Sequence, residues 1–114
     1  MRNVVLCAGA RNAPFVSLLS GTHDFTVLAF FEERAAGFFA LGKMQSEGLP
    51  VAVITTSGTA AAELLPAVIE ADYQGLPLIV ISADRPRHYR GSGAPQTINQ
   101  ISTERRYLDP DINP

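Results

Sequence analysis

The sequence predicts an α/β fold in which helices cover both faces of one parallel sheet, a doubly wound arrangement. Four short apolar runs rich in β-branched residues alternate with segments of helical spacing along the 114 residues. None of the runs alternates polar with apolar residues, and continuous runs are typical of strands buried on both faces. Two helical segments end at the same tripeptide, at Gly48–Pro50 and Gly75–Pro77, where glycine closes the helix and proline leads into a strand.

The first half of the chain predicts two strands and two helices. The run Asn3–Cys7 predicts the first strand, and the helical spacing of Pro14–Leu19 predicts a short helix after it. Phe25–Phe30 predicts the second strand. Glu33–Met44 predicts a longer helix with Phe38, Leu41 and Gly42 on one side and small alanines around them.

The second half continues the alternation. We expect a strand at Val51–Thr55, a helix at Ala60–Asp72 and a strand at Leu78–Ser82. Right-handed crossovers between these strands imply the strand order 2-1-3-4. Residues 1–100 are therefore expected to form one domain, in which the part beyond Asp84 is loop, whereas residues 101–114 show no clear period.

Composition and charge exclude several classes of protein. Hydrophobic residues make up 46% and charged residues 18% of the chain, as in an ordinary globular protein. The net charge of -2 argues against a nucleic-acid-binding protein, which carries a basic excess. Cys7 is the only cysteine, and no stretch has the length of a membrane span or the pattern of a signal peptide. We therefore expect a cytoplasmic protein with neither a nucleic-acid nor a membrane partner.

The positive charges are unusual in kind and in place. Eight of the nine are arginines, and five of these fall in the last thirty residues, at Arg85, Arg87, Arg90, Arg105 and Arg106. Arginine holds carboxylates and phosphates in a bidentate fork, so the bias indicates recognition of a small anion. For any single arginine, a solvated, salt-bridged surface position is the simpler explanation.

Almost every distinctive residue follows one of the predicted strands. Four segments lie there: Ala8–Asn12, Phe31–Arg34, Thr56–Thr59 and Ala83–Gln96. In an open α/β sheet, ligands bind outside the carboxyl ends of the strands. The coincidence of the four segments predicts a binding site at that edge, and it carries more weight than any single motif.

The first two segments each allow a structural and a functional interpretation. Gly9 would let a ligand approach the backbone at a helix N-terminus, although a plain strand-to-helix turn is the simpler explanation. Glu32 and Glu33 begin a helix, where acidic residues interact favourably with the helix dipole, and this is the favoured explanation on residue type alone. The alternative is that one carboxylate lies in an apolar cleft beside Phe30, Phe31 and Phe38 and shares a proton with a ligand nitrogen.

The last two segments offer hydroxyl, amide and guanidinium groups. Hydroxyls in Thr55–Thr59 can cap a helix, which would explain them fully, and Gly58 would let a flat ring lie against the backbone. Arg85 is held rigidly before a proline, and Gln96 offers both a donor and an acceptor. His23 and His88 are isolated, so no metal site is expected.

Taken together, the four segments resemble the SEPHCHC synthases (MenD) of menaquinone biosynthesis. The family's first loop reads P-G-S-R-N-A-P, and this chain has A-G-A-R-N-A-P from Ala8 to Pro14. The family's D-E-R-S-A-G-F-F-A-L-G resembles Glu32–Gly42, and its P-V-A-V-T-S-G-T-A resembles Pro50–Ala60. S-A-D-R-P and G-x-G-A-N-Q resemble Ser82–Pro86 and Gly91–Gln96. The likeness extends to about Gln100.

The resemblance implies a truncated pyrimidine-binding domain from a thiamine-diphosphate-dependent transferase, a carboligase. Such an enzyme decarboxylates 2-oxoglutarate and adds the succinyl carbanion to isochorismate. Glu33 would be the catalytic carboxylate that hydrogen-bonds N1′ of the aminopyrimidine, and the cofactor would also contact Thr56, Ser57 and Gly58. The substrate would contact Arg11, Arg85 and Gln96.

This sequence departs from the family pattern at three points. Ala10 replaces a serine, Pro95 replaces an asparagine, and the Gly-Asp-Gly motif that binds Mg²⁺ and the diphosphate is not in this chain. We therefore expect an inactive N-terminal part of an enzyme whose full-length form is a homodimer or homotetramer, with the Mg²⁺ site in another domain. Two alternatives stay open: a related thiamine-diphosphate enzyme with another acceptor, and a non-catalytic flavodoxin-like module that binds an anion or a partner.

Overall fold

Four parallel strands form the centre of the molecule. In the computed structural model residues 1–100 are described, and the predicted C-terminal segment 101–114 lies outside the described residues. The strands are β1 (Asn3–Cys7), β2 (Thr26–Phe30), β3 (Val51–Thr55) and β4 (Leu78–Ser82). They pair in parallel in the order β2-β1-β3-β4, which confirms the predicted topology and fold class.

Helices connect the strands. The helices are α1 (Ala13–Ser20), α2 (Glu33–Glu47), α3 (Thr59–Glu63) and α4 (Leu65–Tyr73), and short 3-10 turns lie at Ala10–Asn12 and Arg87–Tyr89. α2 continues beyond the predicted Met44 and ends at Gly48, whose φ of 67° is the left-handed conformation that glycine adopts readily. In the described part of the chain, no helix combines the length and the apolar character needed to cross a membrane.

The single helix predicted for Ala60–Asp72 is wrong, because the structure divides it into α3 and α4. Pro66 has no amide hydrogen, so an unbroken helix would lose a hydrogen bond at this point and its ring would crowd the preceding turn. The chain instead closes α3 with a tight bond from the Leu64 amide to the Ala61 carbonyl (3.2 Å). Pro66 then lies in the first turn of α4, where a missing amide hydrogen costs little.

Burial differs between the central and the outer strands. All five residues of β1 and all five of β3 are buried. β2 and β4, which border the described sheet, keep exposed positions, and Ile79 in β4 is 41% exposed. The prediction that all four strands are buried on both faces is therefore right only for the central pair, because apolar composition does not reveal which strand lacks a neighbour.

The core lies on both faces of the sheet, as a doubly wound fold requires. On one face, Val5 and Val53 pack with α2 and α4, with the fully buried Met44 of α2 and with the fully buried Leu64, which lies between α3 and α4. On the other face, Leu6 and Ile54 pack with Leu19 of α1. Burial of a side chain the size of Met44 or Leu64 contributes roughly 1.5–3 kcal/mol to folding.

α2 and α4 approach each other unusually closely. A Cβ added to Gly37 would lie 2.6 Å from the Cβ of Ala67, so only glycine fits at this crossing. The buried stripe of α2 runs through Ala36, Gly37, Ala40, Leu41 and Met44. Phe38 lies outside it and is 47% exposed, so the expectation that Phe38 shares one side with Leu41 is wrong.

Candidate functional site

Buried polar side chains are concentrated at one edge of the sheet. Of the six in residues 1–100, five lie at or beyond the carboxyl ends of β1, β3 and β4, namely Asn12, Thr55, Thr56, Ser57 and Gln100. Burying a polar side chain costs free energy unless it is hydrogen-bonded. A cluster of buried polar side chains therefore indicates a candidate functional site. The cluster lies at the edge where the sequence predicts a binding site.

The loop after β1 is shaped by Asn12. Its side-chain amide donates to the Cys7 carbonyl (2.8 Å), and its Oδ1 accepts from the Gly9 amide (2.7 Å). A Cβ on Gly9 would lie 2.6 Å from Thr56 Cβ. The space beside Gly9 is thus filled by the protein itself, which agrees with the plain strand-to-helix turn that the sequence favours over a ligand contact at this glycine.

Glu32 and Glu33 have different structural roles. The Glu32 carboxylate is exposed and caps α2 by accepting from the amides of Arg34 (3.1 Å) and Ala35 (2.6 Å). Glu33 is half-buried, and its Oε1 accepts from the Thr55 hydroxyl (3.3 Å) at the end of β3. No other hydrogen bond joins the Glu33 carboxylate to residues 1–100, so its second oxygen is free. Of these two carboxylates, only that of Glu33 therefore keeps an oxygen available for a ligand within residues 1–100.

The aromatic cleft that the sequence allowed as an alternative around this carboxylate does not form within residues 1–100. Phe31 is fully exposed, and Phe38 is also turned towards solvent. Phe30 packs instead on Phe39, with ring centroids 4.9 Å apart. The surroundings of Glu33 within the described chain are the hydroxyl of Thr55 and the end of β1 rather than a ring of phenylalanines.

The pKa of the Cys7 thiol reflects burial and the negative charges at the same edge of the sheet. Burial raises the pKa of this thiol to about 11, and the negative charges of Glu33 and Glu32 act in the same direction. The thiol is therefore protonated and uncharged near neutral pH. The field of the Glu33 carboxylate thus reaches the end of β1.

The turn between β3 and α3 does not use its hydroxyls as helix caps. α3 begins after Gly58, and no side chain caps it. Ser57 is fully buried and donates its hydroxyl to the Gln96 carbonyl (2.9 Å). The Thr56 Oγ1 is buried without a hydrogen-bond partner. The capping explanation for these hydroxyls is therefore wrong.

Gly58 has two structural reasons to be glycine. Its φ of 82° lies in the region that L side chains rarely adopt. A Cβ at this position would also lie 2.6 Å from Gln96 Cα. The face of Gly58 that the sequence suggested for a flat ring is therefore covered by the backbone of Gln96.

The loop after β4 is held by charged groups. Asp84 pairs with Arg90, and Arg85 donates from Nη2 to the Pro95 carbonyl (3.0 Å). The Arg85 guanidinium also lies over the Tyr89 ring, 5.7 Å from its centroid, while its buried Nε has no partner. Arg85 thus keeps an unused donor beside the loop that it supports.

The structure brings some of the predicted site residues together and leaves one apart. The segment Thr55–Gly58 contacts Glu33, Gly9 and Gln96 in succession. Arg11 is exposed, and it makes no hydrogen bond or ion pair within residues 1–100. In this range, no group of three or more His, Cys, Asp or Glu residues could hold a metal ion.

Sequence reasoning missed two members of the cluster. Gln100 is buried and bonds to Gly58, Ser82 and Ala83, yet it belongs to no motif and no pattern marks it. Asn12 lies within a recognised segment, and its position at the start of a helix is a signal of local hydrogen bonding. Only Asn12 had a signal that could have been used.

Comparisons with known proteins agree with this fold and give its family. The family model described as thiamine pyrophosphate enzyme, N-terminal TPP binding domain, matches residues 1–103. A protein of Bdellovibrio bacteriovorus named 2-succinyl-5-enolpyruvyl-6-hydroxy-3-cyclohexene-1-carboxylate synthase is 64% identical over 101 residues, which are 89% of this chain and 19% of that protein. Proteins of the same name from Akkermansia muciniphila and a Synechococcus species are 58% identical over 96 residues and 47% identical over 112 residues. These two matches cover 84% and 96% of this chain and 18% and 19% of the relatives. The chain thus spans about a fifth of the length of the curated relatives it matches.

Proposed function

Because the chain belongs to the thiamine pyrophosphate enzyme family, with the N-terminal TPP-binding domain matched over residues 1–103, we propose that it supplies the aminopyrimidine-binding part of a SEPHCHC synthase. The complete enzyme would decarboxylate 2-oxoglutarate and add the resulting succinyl unit to isochorismate, as a carboligase. Relatives named for this synthase, at up to 64% identity over most of the chain, support the proposal.

One observation carries the proposal, namely the different use of the two adjacent glutamates. Glu32 is committed to capping α2, whereas Glu33 is half-buried, oriented by Thr55 and left with a free oxygen. A carboxyl group of this kind can accept or yield a proton at a ring nitrogen that lies within hydrogen-bonding distance. The donor set therefore fits one edge of an aminopyrimidine.

Each residue of this edge then has a definite task. The Thr55 hydroxyl fixes the orientation of the Glu33 carboxylate through Oε1, and the free oxygen shares a proton with the ring. Thr56 is the predicted cofactor contact whose buried Oγ1 has no partner in the described chain, and a hydrogen bond to the ligand would satisfy it. When bound, thiamine diphosphate supplies an electron sink for the carbanion chemistry.

The arginines are assigned to the substrate carboxylates. Arg85 keeps an unpaired Nε, and Arg11 is exposed without a partner in residues 1–100, so both retain donors for an anion. The exposed Gln96 offers an amide that can donate and accept. Ala10 and Pro95 differ from the family pattern on this side, and an acceptor other than isochorismate is the alternative that these two positions allow.

Four further properties belong to the same proposal. Mg²⁺ and the diphosphate would be held by a part of the enzyme other than residues 1–100, where no acidic or histidine cluster of the required size is found. The enzyme would act as a homo-oligomer in the cytoplasm and would bind no nucleic acid. The net charge of -2 and the single, buried cysteine support the last two statements.

The experiment is a hybrid synthase in which this chain replaces the matched 101 residues of the Bdellovibrio bacteriovorus relative. Condensation of 2-oxoglutarate with isochorismate is followed for the hybrid and for its Glu33→Gln and Glu32→Gln variants. We expect an active hybrid and a loss of at least ~100-fold in kcat for Glu33→Gln, because general acid-base groups contribute that much. Glu32→Gln is the matched control and should stay near the parent, at a cost of about 1 kcal/mol in stability.

Two results would contradict the proposal. A folded hybrid that binds thiamine diphosphate but does not turn over these substrates would refute the assignment of substrates. Equal loss of activity in the two variants would show that Glu33 has no special part and would refute the assignment of the site.

A further inference from the structure

We propose that Ser57 and Gln100 are positioning residues that hold Gln96 in place for the acceptor substrate. The two side chains fasten the loop after β4 to the turn after β3, and we call this pair of contacts the clasp. The assignment of Gln96 to the acceptor rests on the proposed function, whereas the clasp itself rests on contacts within the chain.

The first half of the clasp is the contact of Ser57 with Gln96. The Ser57 side chain is fully buried, and its hydroxyl donates to the Gln96 carbonyl over 2.9 Å. Gly58 lets the two segments meet, because any Cβ there would overlap the Gln96 backbone. Breaking this bond would leave a buried hydroxyl and a carbonyl without partners, which is unfavourable, so the bond resists opening.

The second half is the side chain of Gln100, which is 5% exposed. Its Oε1 accepts from the Gly58 amide (2.8 Å), and its Nε2 donates to the Ala83 carbonyl (3.1 Å) and to the Ser82 hydroxyl (3.4 Å). One side chain thus bridges the ends of β3 and β4 and satisfies both ends of its amide. The loop between Ser82 and Gln100 is therefore closed at its base.

Gln96 itself shows why such a clasp is needed. It is the only residue other than glycine with a positive φ in residues 1–100, at 55°. A left-handed backbone is unfavourable for a residue other than glycine, so this conformation persists only where neighbouring contacts impose it. Ser57 holds the Gln96 carbonyl on one side, and Arg85 holds the Pro95 carbonyl on the other.

The backbone of Gln96 is held while its side chain stays available. The side chain is exposed, and its amide makes no hydrogen bond to residues 1–100. A displacement of about 1 Å in a group that binds a substrate can cost up to ~100-fold in rate. Loss of the clasp should therefore weaken the interaction with the acceptor while leaving Glu33, on the other side of β3, in its place.

The first test uses the 114-residue chain and does not depend on the enzymatic assignment. Amide hydrogen exchange at Gly58 is measured in the parent, in Gln100→Leu and in Ser92→Ala. Ser92 lies in the same loop and, within residues 1–100, bonds only to Tyr89 and Ala94, so Ser92→Ala is the matched control. We expect exchange at Gly58 at least ~10-fold faster in Gln100→Leu alone, because the hydrogen bond that protects this amide is lost. Unchanged exchange in Gln100→Leu would overturn the clasp.

The second test uses the hybrid synthase and a double-mutant cycle. Gln100→Leu should raise the KM for the acceptor about 10-fold, with the Kd for thiamine diphosphate and the KM for 2-oxoglutarate within about twofold of the parent. If Gln100 acts through Gln96, the variant Gln100→Leu/Gln96→Ala should match Gln96→Ala alone. Additive effects of the two substitutions on the KM for the acceptor would overturn the positioning role. A uniform loss of kcat and of cofactor binding in an active hybrid would overturn it as well. An inactive hybrid with normal Gly58 protection would refute the proposed function and leave the clasp established by exchange.

Discussion

At the scale of single residues, the end of β3 decides most of the candidate site. Along Thr55–Gly58, contacts pass in turn to Glu33, to Gly9 and to Gln96. The chain leaves β3 at Thr55 and turns at Gly58, so successive side chains of this short stretch face different elements. Substitutions at different positions of this stretch are therefore expected to disturb different contacts.

Cys7 provides a test of the electrostatics at this edge. Its thiol has a pKa of about 11 in the folded chain, mainly because of burial and then because of Glu33 and Glu32, against an ordinary value of 9.0. The unfolded chain therefore releases this proton at lower pH than the folded chain. A raised folded pKa contributes stability that is fully present below pH 9 and is lost as the pH rises towards 11.

The measurement is the free energy of unfolding as a function of pH for the parent and for Cys7→Ala. Between pH 8 and pH 11 the parent should lose roughly 2–3 kcal/mol more than the variant, which has no thiol to ionise. The variant itself should be less stable at pH 8, because the smaller side chain leaves a gap in the core. Parallel dependence of the free energy of unfolding on pH in the two proteins would show that folding does not raise the pKa of the Cys7 thiol.

At the scale of elements, the contact between α2 and α4 explains where small residues are required. Gly37 lies against Ala67 with no room for a Cβ, whereas a Cβ on Gly42, one and a half turns further along the same helix, would meet nothing within 4 Å. Glycine in a helix costs about 1 kcal/mol relative to alanine, so helix propensity favours alanine at both positions. Only position 42 has room for the added Cβ.

Alanine substitutions at these two glycines form a matched pair. Gly37→Ala should destabilise the chain by about 1–3 kcal/mol, because overpacking exceeds the gain in helix propensity. Gly42→Ala should stabilise it by up to about 1 kcal/mol. Denaturant unfolding of the two variants measures both effects, and a stabilising Gly37→Ala would mean that α2 and α4 do not approach as closely as described.

At the scale of the whole molecule, the proposed function gives the described chain one side of a cofactor site. Glu33 and Thr56 would then offer a few hydrogen bonds to an aminopyrimidine, and the diphosphate carries most of the charge of thiamine diphosphate. Association itself costs several kcal/mol of lost translational and rotational freedom. The contacts available in residues 1–100 therefore offset only part of that cost.

We accordingly expect the 114-residue chain to bind thiamine diphosphate weakly, with a Kd on the order of 1 mM or more, and independently of Mg²⁺. It should not decarboxylate 2-oxoglutarate. Calorimetric titration with and without Mg²⁺ measures the first two properties, and a coupled assay for CO₂ release measures the third. Tight binding that requires Mg²⁺ would place the diphosphate on this chain and would overturn the assignment of that site to another part of the enzyme.

The sequence by itself determined the order of the strands and the location of the candidate site. Three of the four strands begin and end at the predicted residues, since an apolar, β-branched run between turn residues has few other solutions. Parallel connectivity then places the segments after the strands at one edge. The contacts made by the individual site residues were not determined in this way.

Only the tertiary structure decided which residues touch. It showed that Gly9 and Gly58 are glycines because Thr56 and Gln96 fill the space beside them, and that the unmarked Gln100 closes the loop. It also turned Phe38 to solvent and separated Glu32 from Glu33 in role. The physical reason is that periodicity and composition describe each segment alone, whereas burial and hydrogen-bond partners depend on segments that are distant in the chain.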